Sequence, residues 1–174
     1  FEVVLNAGDN VLQFDAASLS DSYGISVDKV KLTSAYNSSS LIVNGDFWID
    51  QLVLSGTIVL AANQMGVDGW RAGPSGCTYT RSFNLDTWTI TITAGTLRQT
   101  LLFKDIRQAY HTVGWDGTAQ CRYSTAGFSS YFSGGSFSFS NATTNNVTIE
   151  FNTGTLRYVQ VQPGLVRTAF AARQ

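Results

Sequence analysis

The chain has 174 residues, 44% of them hydrophobic and 13% charged, and its 11 Lys and Arg against 12 Asp and Glu give a formal net charge of −1. That length holds one ordinary domain with room for part of another, and a core large enough to stand without disulfides. No Lys/Arg cluster supplies the basic footprint of a nucleic-acid binder, and no apolar run approaches the roughly 20 residues that a bilayer crossing takes, so neither nucleic acid nor membrane insertion is expected.

From the start of the chain, Phe1-Glu2-Val3-Val4-Leu5 and Val11-Leu12-Gln13-Phe14 are strand-like and are separated by a turn-rich patch. Ile25 to Leu32 alternates with a break in phase at Asp28-Lys29. Residues 1–34 therefore read as the C-terminal strands of a preceding β-sandwich module. With Phe rather than Met at position 1, the chain reads as a piece of something longer. The polar residues 35–40 read as a linker, and the main domain is expected over 41–174.

Within it, Leu41-Ile42-Val43 leads into Asn44-Gly45-Asp46-Phe47-Trp48, and Thr57–Leu60 is a further strand candidate. Asp68-Gly69-Trp70 marks a turn before a strand over Cys77–Phe83. Thr87–Thr93 is the clearest strand, with Trp88, Ile90 and Ile92 on one face and threonines on the other. Leu97–Phe103 follows Ala94-Gly95, and a short helix fits around Lys104–Tyr110. Asp116-Gly117 carries a strong hairpin signal and would join Ala109–Trp115 to Thr118–Tyr123. Ser124–Gly135 reads as a long Ser/Gly loop holding Phe128, Tyr131 and Phe132. Val147–Phe151 and Tyr158–Gln162 alternate on either side of Thr153-Gly154-Thr155, which predicts a closing hairpin ended by Pro163-Gly164. Many short strands without a long helix predict an all-β fold of the sandwich or jelly-roll kind.

Catalytic chemistry finds little footing. The single histidine, His111, excludes a His-rich zinc site, and Cys77 and Cys121 lack paired zinc spacing and read as free thiols. A glycosidase needs two carboxylates flanking one bond, yet the two glutamates are Glu2 and Glu150, the latter expected on the wet face of its strand. No Gly-x-Ser-x-Gly elbow occurs. No cofactor is expected. Structural calcium would need only loop carboxylates and carbonyls, for which Asp46, Asp50, Asp68 and Asp116 are the candidates, although solvated turn aspartates are the simpler reading.

The aromatic residues carry more information. Trp88 and Trp70 read as core. Trp48 and Trp115 lie near turns where they would cap a shallow groove, with Asp116 beside the latter, and Tyr131 and Phe132 are expected on an exposed loop. Rings with polar neighbours suit sugar faces, and they equally suit subunit contacts. The candidate ligand-binding set is therefore Trp48, Trp115, Asp116, Tyr131 and Phe132.

Four separated segments also carry a resemblance. Leu41 to Gln51 with Asp68-Gly69-Trp70-Arg71, Thr112 to Arg122, and Val147 to Phe170 together resemble the jelly-roll domains of bacteriophage tail fibres and related virion appendages, over residues 41 to 172. Gln162-Pro163 departs from that pattern, which often has an acidic residue there. Residues 22–32 separately resemble the last strand of a carbohydrate-binding-module sandwich. The resemblance implies a jelly-roll β-sandwich of the galactose-binding-like type, non-enzymatic, located on a virion and extracellular when acting. Its implied partners are copies of itself, other virion proteins and host surface glycan. A structural or decorating virion protein that binds no sugar is the alternative, as is a carbohydrate-binding module of a secreted hydrolase.

Overall fold

The computed structural model describes residues 40–84, 87–106, 110–142 and 144–170. The strands expected within 1–34, and most of the linker 35–40, lie outside them. The described residues form β1 (Thr57–Leu60), β2 (Arg71–Asn84), β3 (Thr87–Leu101), a short helix α1 (Phe103–Ile106), β4 (Tyr110–Asp116), β5 (Cys121–Ser124), β6 (Ser136–Ser140), β7 (Val147–Phe151) and β8 (Gly154–Pro163). All pairings are antiparallel, and the fold is an all-β, sandwich-like one. The strands follow the path β1-β2-β3-β8-β4-β6, with β7 branching off β3 and carrying β5. The fork is at β3. Its Leu97–Leu101 half pairs with β7, whereas Ile90–Ile92 pairs with the start of β8. Ala94-Gly95 does not end a strand, because Gly95 at φ 72° lets β3 continue through an irregular register opposite β2.

Both expected hairpins are corrected. β7 and β8 do not pair with each other; Thr153-Gly154 is a corner that passes the chain from β7, between β3 and β5, to β8, between β3 and β4. Asp116-Gly117 is likewise a crossing, since β4 pairs with β6 and β8 while β5 pairs with β7. The two crossings pack on each other. A side chain on Gly154 would begin 2.5 Å from the Ala119 nitrogen, and one on Gly117 would begin 2.1 Å from the Thr155 oxygen. Only glycine admits that approach, and both sit at positive φ. Thr118 and Thr155 then exchange backbone-to-hydroxyl hydrogen bonds at 3.0 Å each way.

The interior takes buried residues from all eight strands. Phe47, Trp70, Phe151 and Trp115 form a continuous aromatic chain through it, with ring centroids 5.3, 6.1 and 5.6 Å apart. Leu41–Asp46 is turn rather than strand, and Ser40 belongs to the fold rather than to a linker. Ser40 is buried, and its hydroxyl accepts from the Ile42 and Val161 amides. At the other end of the domain, residues 164–170 lie back over β8. Gln160 donates to the Thr168 carbonyl (2.7 Å) and Gln162 to that of Val166 (2.6 Å), while the Thr168 hydroxyl donates to Gln162 Oε1 (2.8 Å). Both glutamines are therefore buried although their strand parity points them away from the core.

Candidate functional site

The loop after Asn44 separates two adjacent aromatic rings. Phe47, at φ 59°, enters the core with no exposure, and Trp48 leaves it with 53% of its surface exposed. Arg81 of β2 fixes the base of this loop. Its guanidinium pairs with Asp50, donates to the Phe47 carbonyl (2.8 Å) and lies 4.3 Å over the Trp88 ring. Asp50 also accepts from the Leu54 amide (2.8 Å), so the ion pair is both desolvated and hydrogen-bonded. Trp48 stands edge-on to Phe83 at 5.4 Å and 72°, and Phe83 packs on Trp88 at 5.3 Å. Phe83, Ile49, Leu52 and Val53 are all exposed around it. The result is an aromatic platform on a rigid polar base, flanked by aliphatic side chains. Trp88, expected in the core, is half-buried at its margin.

Trp115 is corrected from groove cap to core. It is fully buried, edge-on to Phe151 and Phe137, and its indole donates to the Ala119 carbonyl at 2.8 Å. Its strand carries neighbours on both sides, so a position next to a turn in sequence is enclosed in space. Asp116 is nearer the surface and lines a shallow open cleft of about 210 Å³ with Thr89, Gly117, Thr155, Leu156 and Arg157. That is smaller than the roughly 300–1,000 Å³ usual for ligand pockets. The Asp116 carboxylate accepts from Arg167 (2.6 Å), which anchors the returning C-terminal segment.

Tyr131 and Phe132 are half-buried rather than exposed, because their loop closes over β5 and β7. Phe132 stacks on Phe137 at 4.3 Å, and the Phe132 and Cys121 backbones bond each other in both directions. Tyr131 covers Glu150, which is fully buried and not on a wet face. Glu150 Oε1 accepts from Arg122 Nε (2.8 Å), from Arg122 Nη2 (2.5 Å) and, at 3.4 Å, from the Tyr131 hydroxyl. The Arg122 guanidinium lies 4.1 Å over Phe128 and 4.7 Å over Tyr131. These rings are occupied in holding a buried charge. Burial, followed by the Glu150 charge, raises the Tyr131 pKa.

Of the sequence-derived set, Trp48 alone presents a largely free ring. The set is not brought together: Trp48 stands on the Arg81–Phe83 end of β2, while Tyr131 and Phe132 serve the Glu150 cover. The missed members are Arg81 and Phe83. Their signal was present, since Cys77, Tyr79, Arg81 and Phe83 alternate on one strand face, and a charge on an apolar face needs a buried partner. Among the described residues no three His, Cys, Asp or Glu gather in a metal-binding group. Asp68 accepts from the Gln51 amide (2.5 Å), and His111 is buried with its ring stacked on Phe139. Cys77 and Cys121 are free, buried thiols. No protein-family model matches the chain, and no curated protein matches it significantly.

Proposed function

We propose that this chain is a non-catalytic adhesion module of a bacteriophage tail or head appendage, binding host surface carbohydrate through Trp48. The observation that carries the binding role is the exposed Trp48 ring, braced by Phe83 and by the buried Arg81–Asp50 pair. A rigid aromatic face presents C–H-binding surface at little entropic cost. The virion setting is supported by the sequence resemblance over 41 to 172. Individual sugar contacts of this kind are weak, and display of several copies on one appendage supplies the avidity.

The test is a glycan array probed with the protein in its native oligomeric state, beside Trp48→Ala and Tyr131→Ala. Trp48→Ala is expected to weaken binding by roughly tenfold or more, as removal of a central aromatic anchor does, with the melting temperature little changed. Tyr131→Ala is expected to act on stability instead. Absence of binding to every host polysaccharide rejects the adhesion role.

One observation favours a second reading. Ile49, Leu52 and Val53 are 50%, 58% and 82% exposed around Trp48, and aliphatic surroundings suit a protein contact more than a sugar. In that reading the same platform docks a neighbouring virion protein or another copy, and Trp48→Ala changes the oligomeric state in sedimentation while no glycan binds.

A further inference from the structure

One face of β2 and β3 holds two like charges that no carboxylate among the described residues pairs with. Arg71 and Arg98 are directly opposed across the β2–β3 pair. Like charges in that position repel and destabilise a sheet. Among the described residues, the ion pairs use Arg81, Arg122 and Arg167, and neither Arg71 nor Arg98 has a carboxylate partner. Glu150 is the register partner of Arg98 on the other side of β3, but its Oε1 is held by Arg122 and its buried Oε2 makes no hydrogen bond, so it forms an ion pair with neither arginine.

Each arginine is held in place by a neighbouring side chain. Arg98 donates to Asn63 Oδ1 at 2.5 Å, and Asn63 keeps a left-handed backbone at φ 62° with its amide bonded to the Gly73 carbonyl (3.2 Å). That leaves the Asn63 amide nitrogen as a further outward donor. Arg71 is exposed and rests against the Met65 sulfur at 3.5 Å, which the Met65–Arg71 β-bridge positions. Two planar guanidinium groups and an amide nitrogen on one rigid face are matched to a planar, bidentate anion.

We propose that Arg71, Arg98 and Asn63 form a second binding subsite, which takes the carboxylate of an acidic sugar residue. This rests on the carbohydrate-adhesion reading and adds the substrate class to it. The choice of an acidic glycan follows from charge spacing. Nucleic acid presents a negative charge about every 1.7 Å of duplex axis and is held by a broad basic surface, whereas this chain has a net charge of −1 and Arg71 and Arg98 supply two adjacent cations on β2 and β3. A uronic-acid polysaccharide, with one carboxylate per sugar or per repeat, presents charges singly. The pair stands at the opposite end of β2 from Phe83, so the subsite is separate from the Trp48 platform.

The experiment is titration calorimetry with a galacturonic-acid oligosaccharide and with its methyl ester, which keeps the ring and removes the charge. Arg71→Gln and Arg98→Gln are run beside the unsubstituted protein, with sodium sulfate as a competitor. The expected result is tenfold or greater preference for the free acid, lost in either variant and weakened by added salt. Because Arg71→Gln removes like-charge repulsion from an exposed position, its melting temperature is expected to be unchanged or raised, which separates a binding loss from a folding loss. Equal binding of acid and ester, binding that survives both substitutions together, or displacement by sulfate as effective as by the free acid each overturns the proposal. If neutral glycans still bind through Trp48 while the acid shows no preference, this subsite fails and the adhesion role stands; if no glycan of either kind binds, the adhesion role fails as well.

Discussion

At Asn44 one side chain closes three hydrogen bonds while its backbone sits at φ 53°. Its amide nitrogen donates to the Ile49 carbonyl (2.7 Å) and the Asp68 carbonyl (3.0 Å), and its oxygen accepts from the Ile49 amide (2.9 Å). Its own carbonyl receives the Trp70 indole at 3.1 Å. These bonds join the two segments, Leu41–Gln51 and Asp68–Arg71, that stood apart in the sequence, and they set the angle at which Phe47 enters the core and Trp48 leaves it. Asparagine is one of the few residues that both tolerates left-handed backbone and bonds locally there. Asn44→Ala is therefore expected to cost about 4 kcal/mol, from three lost hydrogen bonds of about 1 kcal/mol each and about 1 kcal/mol for alanine's unfavourable backbone. Asn44→Gly removes the same bonds without the backbone penalty and is expected to be about 1 kcal/mol less damaging. Denaturant unfolding of the two variants measures that order, and equal losses would contradict the backbone half of the argument.

The elements at the C-terminal end depend on bonds that strand alternation does not encode. β8 alternates correctly, with Leu156, Val159 and Val161 facing the core around an extra residue at Tyr158, whose φ of 51° marks the bulge. Its outer face is nevertheless dry, because the segment after Gly164 is bonded onto Gln160 and Gln162. Thr168→Val removes the hydroxyl that donates to Gln162 Oε1 at nearly constant side-chain volume. The expected loss is about 1–2 kcal/mol, the cost of leaving a buried acceptor unmet, with faster amide exchange confined to residues 165–170 and to β8. Exchange unchanged in that segment would show that the strap is held elsewhere, through Arg167 to Asp116 or through Ser138 to Leu165. The strands themselves were readable, as Thr87–Ile92 and Val147–Phe151 demonstrate, because Ile90 and Ile92, and Val147, Ile149 and Phe151, place an apolar core residue at every second position. Their partners were not. Gly154 and Gly117 signal a change of direction, but whether the chain returns alongside itself or crosses to another strand is decided by what packs against the glycine, here Ala119 and Thr155, and these are remote in sequence.

For the molecule as a whole, the same physics made the all-β sandwich legible and hid the placement of its aromatics. Trp48 and Trp115 both lie beside polar turns, yet one is a platform and the other is core, since exposure depends on which strands lie beside a turn. Glu150 looked wet for the same reason, until a loop from β5 covered it. A consequence of these enclosed groups belongs to the entire fold, namely its response to alkali. Burial pushes the Cys77 thiol up to about 12 and raises Cys121 well above its ordinary value; burial likewise raises Tyr79. In the unfolded chain the thiols ionise near their ordinary value of about 8.5. Each thiol's folded pKa is thus raised, so the stability it reports is fully present below about pH 8.5 and declines as pH rises toward the folded value. In that window the slope for one thiol that ionises only on unfolding is about 1.4 kcal/mol per pH unit. Denaturant titrations from pH 7 to 11 are expected to show a plateau followed by a falling limb at least that steep, with both thiols unreactive toward a disulfide reagent until the protein unfolds. A flat profile through pH 11, or rapid native-state labelling, would mean that Cys77 and Cys121 reach solvent and that the fold does not enclose them as their burial indicates.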